Sequence, residues 1–354
     1  MTRSLWCFGP QPVTSPRCKA PARCRGTLLC CIAAVALGLL GALGVAAAQS
    51  PAKMYRVGWL GDGSPAADPS PSGGEFQQGL RDVGYVEGRN LAIEYRYASG
   101  NVDRLPDLAA ELVRLSVDVI VTSGEPAALA ARRATKAIPI VVTQIAMDPV
   151  KSGLVVSLGR PDGNVTGLVT LSEDLWQKRL ALLKEIAPKV SRVALLWNPK
   201  NPGNASCVEE IKAAAPAMRL QVLYLEVRDD NALDRAFATM ASESTDALVT
   251  CWDSVLLEHA RPIADFALKR RLPMMSPLKE YVQVGGLISL GSSLPAQRRR
   301  TAYYVDRILK GAKVADLPLE RPTIFELVVN LKTAKALGIT LSPSLLVQAD
   351  DLIE

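Results

Sequence analysis

The chain has 354 residues, 49% of them hydrophobic and 21% charged, which leaves room for two ordinary domains with a core in each and excludes a disordered or fibrous chain. Its net charge of +6 rests on Arg3, Arg17, Lys19, Arg23 and Arg25, all ahead of Leu28. Without those five cations the balance is +1, so the remainder carries no electrostatic footprint for nucleic acid or an anionic membrane.

Residues 28–48 hold no charged side chain and end in Ala46-Ala47-Ala48 before Gln49. A basic leader, an apolar stretch and small residues at the cleavage positions are the marks of a secretory signal, so residues 1–48 are expected to be a signal peptide cut after Ala48. A retained anchor is the competing reading, because 21 uncharged residues are long enough to span a bilayer. No Arg-Arg pair precedes the apolar run, which favours the general secretory route. Five of the seven cysteines fall in this leader, and only Cys207 and Cys251 remain. In an oxidising compartment they form either one disulfide or two buried thiols.

From Gln49 onwards strand-like and helix-like stretches alternate. Apolar runs at residues 55–60, 90–97, 117–122 and 138–145 read as strands, each followed by a stretch with helical spacing. Between Leu105 and Leu115, for example, Leu105, Leu108, Ala109, Leu112 and Leu115 recur at intervals of three and four opposite Asp107, Glu111 and Arg114. Continuous runs such as Val119-Ile120-Val121 suit a parallel sheet buried on both faces. A second series follows Asn164-Val165-Thr166-Gly167: a helix over 173–186, then strands at 193–197, 221–227 and 247–250 with helices between them. The last part reads as a strand at 286–291, a helix at 295–309 and a strand at 324–331. That is too little for a third domain and suits segments passing back and forth between two lobes. The fold class is therefore α/β, with two doubly wound parallel-sheet lobes. In such sheets the loops at the carboxyl ends of the strands line the ligand crevice.

Catalytic chemistry finds little support. His259 is the only histidine, and a lone helical His is ordinarily a surface or satisfied residue. Gly58, Gly61 and Gly63 have the wrong spacing for a dinucleotide loop, and no G-x-x-x-x-G-K-[ST] occurs, so no cofactor is expected. Binding features are better represented. At Ser123-Gly124-Glu125-Pro126-Ala127 a strand ends and a helix begins; its free N–H groups either hold a ligand acceptor or are simply capped. At Trp252-Asp253 another strand ends. Asp253 there either accepts from a ligand or caps the helix starting at Ser254, and Trp252 either stacks on a ligand or packs. Asn198-Pro199 is a third strand-end loop with a polar side chain to offer.

Several ordered blocks carry a resemblance: residues 54–61, Phe76-Gln77-Gln78-Gly79-Leu80, Gly84-Tyr85-Val86-Glu87-Gly88, Ile138-Pro139-Ile140-Val141, Asp148-Pro149-Val150, Gly163-Asn164-Val165-Thr166-Gly167, residues 322–330 and Lys332-Thr333-Ala334. Together they resemble the ABC-transporter solute-binding proteins of the tryptophan/tyrosine-binding type. The resemblance implies a type I periplasmic-binding fold with two lobes joined by a three-crossover hinge, near Gly167, Gly291 and Pro322. Lobe 1 would cover 54–167 with 292–321 returning to it, and lobe 2 would cover 168–291 with 322–354 returning to it. It also implies ligand-facing residues: Leu60 and Ser64; Ser123, Glu125 and Ala127; Met147 and Asp148; and, from the second lobe, Asn198, Asp253 and Ser254, with Glu280 and Gly291 near the hinge. In amino-acid-binding relatives the helix start receives the carboxylate and the Asp the ammonium. Here Glu125 stands where a small residue or Thr is usual, and its charge would repel a carboxylate.

The expected function is an extracytoplasmic receptor, periplasmic and monomeric, that closes on a small organic solute, amino-acid-like or related. It would present the solute to an inner-membrane ABC permease whose ATPase is a separate subunit, with no enzymatic activity, metal or nucleic-acid partner. Asp253→Ala is expected to weaken binding and leave the melting temperature of the empty protein nearly unchanged. Two rivals stay open: a secreted α/β enzyme using Asp148, Asp253 or Glu280 as acid or base, and a ligand sensor built on the same fold.

Overall fold

The structure is a computed structural model that describes residues 53–65, 74–161, 163–170 and 175–354. All of them belong to one compact unit, Lys53–Glu354. The expected signal peptide with its cleavage after Ala48 lies outside the described residues, as do the first two residues of the helix expected from 173.

The first sheet is built from β1 (Tyr55–Gly61), α1 (Glu75–Asp82), β2 (Leu91–Tyr97), α2 (Leu105–Arg114), β3 (Val119–Ser123), α3 (Glu125–Ala134), β4 (Ile140–Val142) and β5 (Val165–Gly167). Its order is β2-β1-β3-β4-β5, every pair parallel. The period of two along each strand sends alternate side chains to opposite faces. Leu60, Ile120, Ile140 and Val142 pack under α2 and α3, while Val57, Trp59, Val119, Val121 and Val141 pack under Phe76 and Leu80 of α1. Both faces are covered, which is why these strands read as unbroken apolar runs.

The second sheet follows through α4 (Leu175–Ile186), β6 (Arg192–Trp197), α5 (Pro202–Ala214), β7 (Gln221–Glu226), α6 (Asp230–Ser242), β8 (Ala247–Thr250), α7 (Ser254–Glu258), α8 (Ala260–Lys269), β9 (Met274–Ser276), α9 (Lys279–Gln283) and β10 (Ile288–Ser292). After α10 (Leu294–Leu309), the chain adds β11 (Phe325–Asn330), α11 (Leu331–Leu337), α12 (Pro343–Gln348) and β12 (Asp351–Ile353). The order is β12-β11-β10-β9-β8-β6-β7. All pairs are parallel except β10–β11, so this sheet is mixed rather than purely parallel. The reason is connectivity: β11 enters from the hinge, at the end where β10 left the sheet, and must run the opposite way.

Three crossovers join the lobes. The chain leaves β5 for α4, whose Trp176, Leu180 and Leu183 sit in the second core. It returns from β10 into α10, whose Ala302, Tyr304 and Val305 pack in the first core. It then crosses again into β11. The crossings lie side by side: Val169 N–H donates to Glu320 O at 2.9 Å, Glu320 N–H to Gly167 O at 2.9 Å, and Ser293 N–H to Ile324 O at 3.4 Å.

One predicted strand is shorter in the structure, and three strands, β5, β9 and β12, were not predicted. The run at 138–145 pairs only over β4, because Ala146 N–H turns away to the Glu125 side chain. β9 and β12 are three residues each, too short to show a period. Cys207 on α5 and Cys251 after β8 form a disulfide, Cα to Cα 6.1 Å, which decides the alternative left open by the sequence.

Candidate functional site

The carboxyl ends of the strands in both sheets converge on one gap. From the first lobe come Asp62, directly after β1; Ser123, the last residue of β3; and Glu125, the first of α3. Between the last two, Gly124 has φ of +94°, a conformation L side chains rarely adopt. A Cβ there would strike the Asp62 carboxylate, so the glycine lets two acidic groups crowd one helix start.

From the second lobe come Asn198 after β6, Asn201 before Pro202, and Asp253 after β8. Asn201 caps α5, its Oδ1 accepting from Gly203 N–H at 2.9 Å. Asp253 caps α7, its Oδ1 accepting from Val255 N–H at 3.0 Å and Leu256 N–H at 3.2 Å. Its other oxygen receives Asn201 Nδ2 at 3.0 Å, and Asn198 Nδ2 lies 3.3 Å from both. Asn204 ties the two strand tips together, accepting from Asn198 N–H at 2.8 Å and donating to Trp252 O at 2.7 Å.

The two sides touch. Ser254 Oγ donates to Asp62 Oδ1 at 2.5 Å, and Ser64 N–H to Glu258 Oε1 at 2.6 Å. Lys200 and Asp103 pair at the rim at 3.8 Å. The Glu125 carboxylate presses on Gly203 of α5, where any side chain would collide with it. The lobes are shut.

Asp62, Glu125 and Asp253 are 4%, 0% and 2% exposed. Burial disfavours the charged form of a carboxyl and raises its pKa. It pushes Asp62 up to about 8, opposed by the Ser254 hydrogen bond and reinforced by Asp253 and Glu125. It pushes Glu125 up to about 7, opposed by the Ala146 N–H that bonds Oε1 at 2.5 Å. Asp253, better supplied with donors, reaches about 6. At neutral pH the shut gap therefore holds protons.

Beside these groups lie small cavities. One, of about 30 Å³, has Gly61, Asp62, Ser64, Tyr97, Ser123 and Gln144 on one side and Trp252, Ser254 and Leu257 on the other. A second, of about 60 Å³, continues past Ala146 and Gly203 to Trp176, Arg179, Glu210 and Phe325. Burial pushes Arg179 down to about 10, Glu210 opposing it; its Nε donates to Leu290 O at 2.7 Å.

Ser64, Ser123, Glu125, Asn198, Asp253 and Ser254 thus meet at the gap. Leu60, Ala127 and Met147 are adjacent in sequence, but their side chains are buried in the apolar core of the first lobe. Asp148 caps its own turn, accepting from Val150 N–H at 2.9 Å and Lys151 N–H at 3.2 Å, which with the Lys151 charge holds it below the usual range against the opposing pull of its slight burial. Glu280 opens α9 and is pushed up by burial; its Oε2 is without a hydrogen-bond partner. Gly291 pairs with Glu326 in the β10–β11 ladder, tight against the Pro277 carbonyl. Asp62, Gln144, Asn201 and Gly203 were not singled out by the sequence. A polar residue directly after an apolar strand was the available signal for Asp62, and Asn before Pro202 for Asn201. His259 bonds Val255 O and Asp230 Oδ1, at 2.8 and 2.9 Å.

Two α/β lobes on a triple crossover, with strand-end loops meeting in a shared gap, define a two-lobed solute-binding protein. The family described as ABC transporter substrate binding protein matches residues 65–353, and the chain belongs to that family. It is similar to a tyrosine-binding protein of Clostridioides difficile (strain R20291), 27% identical over 274 residues, 77% of each chain. Among solved structures it resembles an ABC domain in complex with L-Trp from Streptococcus pneumonia (TM-score 0.78, 28% identity), covering 85% of this chain and 100% of that one. A conserved domain protein from Vibrio cholerae O1 biovar eltor str. N16961 gives TM-score 0.78 and 30% identity with the same coverage. The protein is accordingly an extracytoplasmic solute-binding receptor of an ABC importer, taking a small molecule. Among the described residues no helix is long and apolar enough to cross a membrane.

Proposed function

We propose that the protein is a monomeric periplasmic receptor, exported by a cleaved signal, that closes on a small organic solute related to an amino acid. It hands the shut form to an inner-membrane permease with a separate ATPase. The moving bodies are residues 54–167 with 292–321 and residues 168–291 with 322–354. The observation that carries this reading is the pairing of Asp62 with Ser254 across the gap, since groups shared by both lobes favour the shut state and only such differential contacts shift the population. Relatives described as binding tyrosine and L-Trp support an aromatic solute, and Tyr97, Trp176 and Trp252 line the cavities beside the carboxyl groups. The ligand-facing set is Ser64, Ser123, Glu125, Asn198, Asp253 and Ser254, with Asp62 added. The protein is not an enzyme on this reading: of the three carboxylates considered for acid or base work, Asp148 caps its own turn, Asp253 caps α7, and Glu280 opens α9 within the field of Arg298 and Lys279. Native mass spectrometry of the protein released from its own periplasm tests the proposal. A retained organic solute that rebinds in calorimetry is the expected result; turnover of that solute by the purified protein would replace the receptor reading.

A further inference from the structure

We infer that Glu125 sets the specificity of the gap, turning a helix start that would take a carboxylate into a receiver of N–H donors, so that the solute is an organic amine without a carboxylate. The inference rests on the receptor reading above and narrows its solute class.

A helix N-terminus at the end of a strand offers free N–H groups and positive potential to an anion. The start of α3 has no side-chain cap and is crowded by two of the protein's own acids. Glu125 Oε1 takes the Ala146 N–H, and the Asp62 carboxylate lies against Gly124. A ligand carboxylate arriving there would meet two acidic groups and, across the gap, Asp253. The groups that act most strongly on the three carboxyls are one another, Ser254, Asn198, Asn201 and backbone N–H groups. Lys200 is engaged with Asp103 at the rim, Glu258 accepts from Ser64 N–H, Tyr281 faces Asp253, and Arg298, on the wall of the same gap, acts on Glu280.

Two side chains point independently to a ligand. Glu125 is fully buried, and once ionised its carboxylate has few donors besides the Ala146 N–H and the Asn201 side chain, which leaves Oε2 able to accept from a ligand. Gln144, 2% exposed and lining the gap with Asp62 and Ser123, has an unpartnered Nε2, a donor awaiting an acceptor. Buried polar groups left unpaired are costly, and a solute that pairs them is favoured over one that does not. Among the described residues no cluster of three or more His, Cys, Asp or Glu could hold a metal ion, so the acidic gap is not a cation cage. An ammonium or other N–H donor on an aromatic body, with a hydroxyl or ether oxygen within reach of Gln144, satisfies the groups present.

Calorimetry just above the pH of about 8 at which Asp62 ionises, with tyramine, 5-hydroxytryptamine, L-tyrosine and 5-hydroxy-L-tryptophan, tests this on the full chain freed of retained solute. The expected result is that an amine binds at least about tenfold tighter than its amino acid. Glu125→Gln, which keeps size and shape, should erase that preference, and Glu125→Thr should favour the amino acid. An amino acid bound as tightly as its amine by the unaltered protein overturns the inference while leaving the receptor reading intact. So does failure of both amines to bind, in which case the solute retained in the periplasmic preparation still judges the receptor reading separately.

Discussion

Ser254 Oγ and Asp62 Oδ1 are 2.5 Å apart, and they belong to opposite lobes. Such a bond exists only while the gap is shut, and Ser64 N–H to Glu258 closes a second link nearby. Removing the hydroxyl should loosen closure and leave each lobe folded. A neutral hydrogen bond contributes about 1 kcal/mol, so Ser254→Ala should weaken solute binding about fivefold. The radius of gyration of the solute-free variant, from small-angle scattering, should exceed that of the unaltered protein; equal radii and equal affinity would show that this bond does not hold the lobes.

Closure should also depend on pH. Asp62, Glu125 and Asp253 have pKa values of about 8, 7 and 6 in the shut state, all raised above the ordinary carboxyl range. A group with a raised pKa binds its proton more strongly in that state, so the shut form is favoured at low pH and loses this contribution progressively from the ordinary carboxyl value of 3.8 up to about 8. Scattering from the solute-free protein should show opening across that window, and Asp62→Asn should remove its upper part. A bound ammonium replaces those protons, so amine affinity should rise over the same window with proton release, seen as a buffer-dependent heat. An affinity independent of pH would contradict the assignment of buried protons to the gap.

Gly203→Ala separates folding from closure. Alanine is the better helix former by up to about 1 kcal/mol, so the melting temperature should hold or rise. The added Cβ meets the Glu125 carboxylate only when the lobes are shut. Affinity should therefore fall about tenfold without loss of stability. A fall in melting temperature with unchanged affinity would mean that Gly203 serves α5 alone.

The Cys207–Cys251 bridge spans 44 residues and joins α5 to the end of β8 beneath Asn198 and Asp253. By loop entropy it stabilises the second lobe by roughly 4 kcal/mol at most. Adding reductant, or Cys207→Ala with Cys251→Ala, should lower the melting temperature by several degrees. No change under full reduction would place the bridge outside the stability of that lobe.

Asp253→Ala needs a revised expectation. From the sequence its effect was confined to binding, yet Asp253 also receives the first N–H groups of α7. Its removal should cost about 1 kcal/mol of stability as well as affinity. Asp253→Asn keeps an acceptor for the cap and removes the charge, so it should weaken amine binding while the melting temperature stays near that of the unaltered protein.

The three-crossover hinge was implied by the family resemblance, whereas the β/α alternation and its two series were determined by the sequence itself. Each depends on local periodicity or on where an apolar run stops, as at Val119-Ile120-Val121 before Ser123, and such signals are written within a few neighbouring residues. It also placed Glu125, Asn198, Asp253 and Ser254 at strand ends. What it did not determine was which of these side chains look into the gap. Leu60, Ala127 and Met147 stand beside it in the chain but turn into the core, because strand and helix phase, set by packing, decides the face. Only the tertiary structure joined Asp62 to Ser254, 192 positions away, and paired Cys207 with Cys251. It also buried the Glu125 carboxyl completely, against Gly203 of the other lobe. Contacts between segments so far apart in the chain leave no local pattern, and the burial that raises the three carboxyl pKa values belongs to the folded molecule and to no short stretch of it.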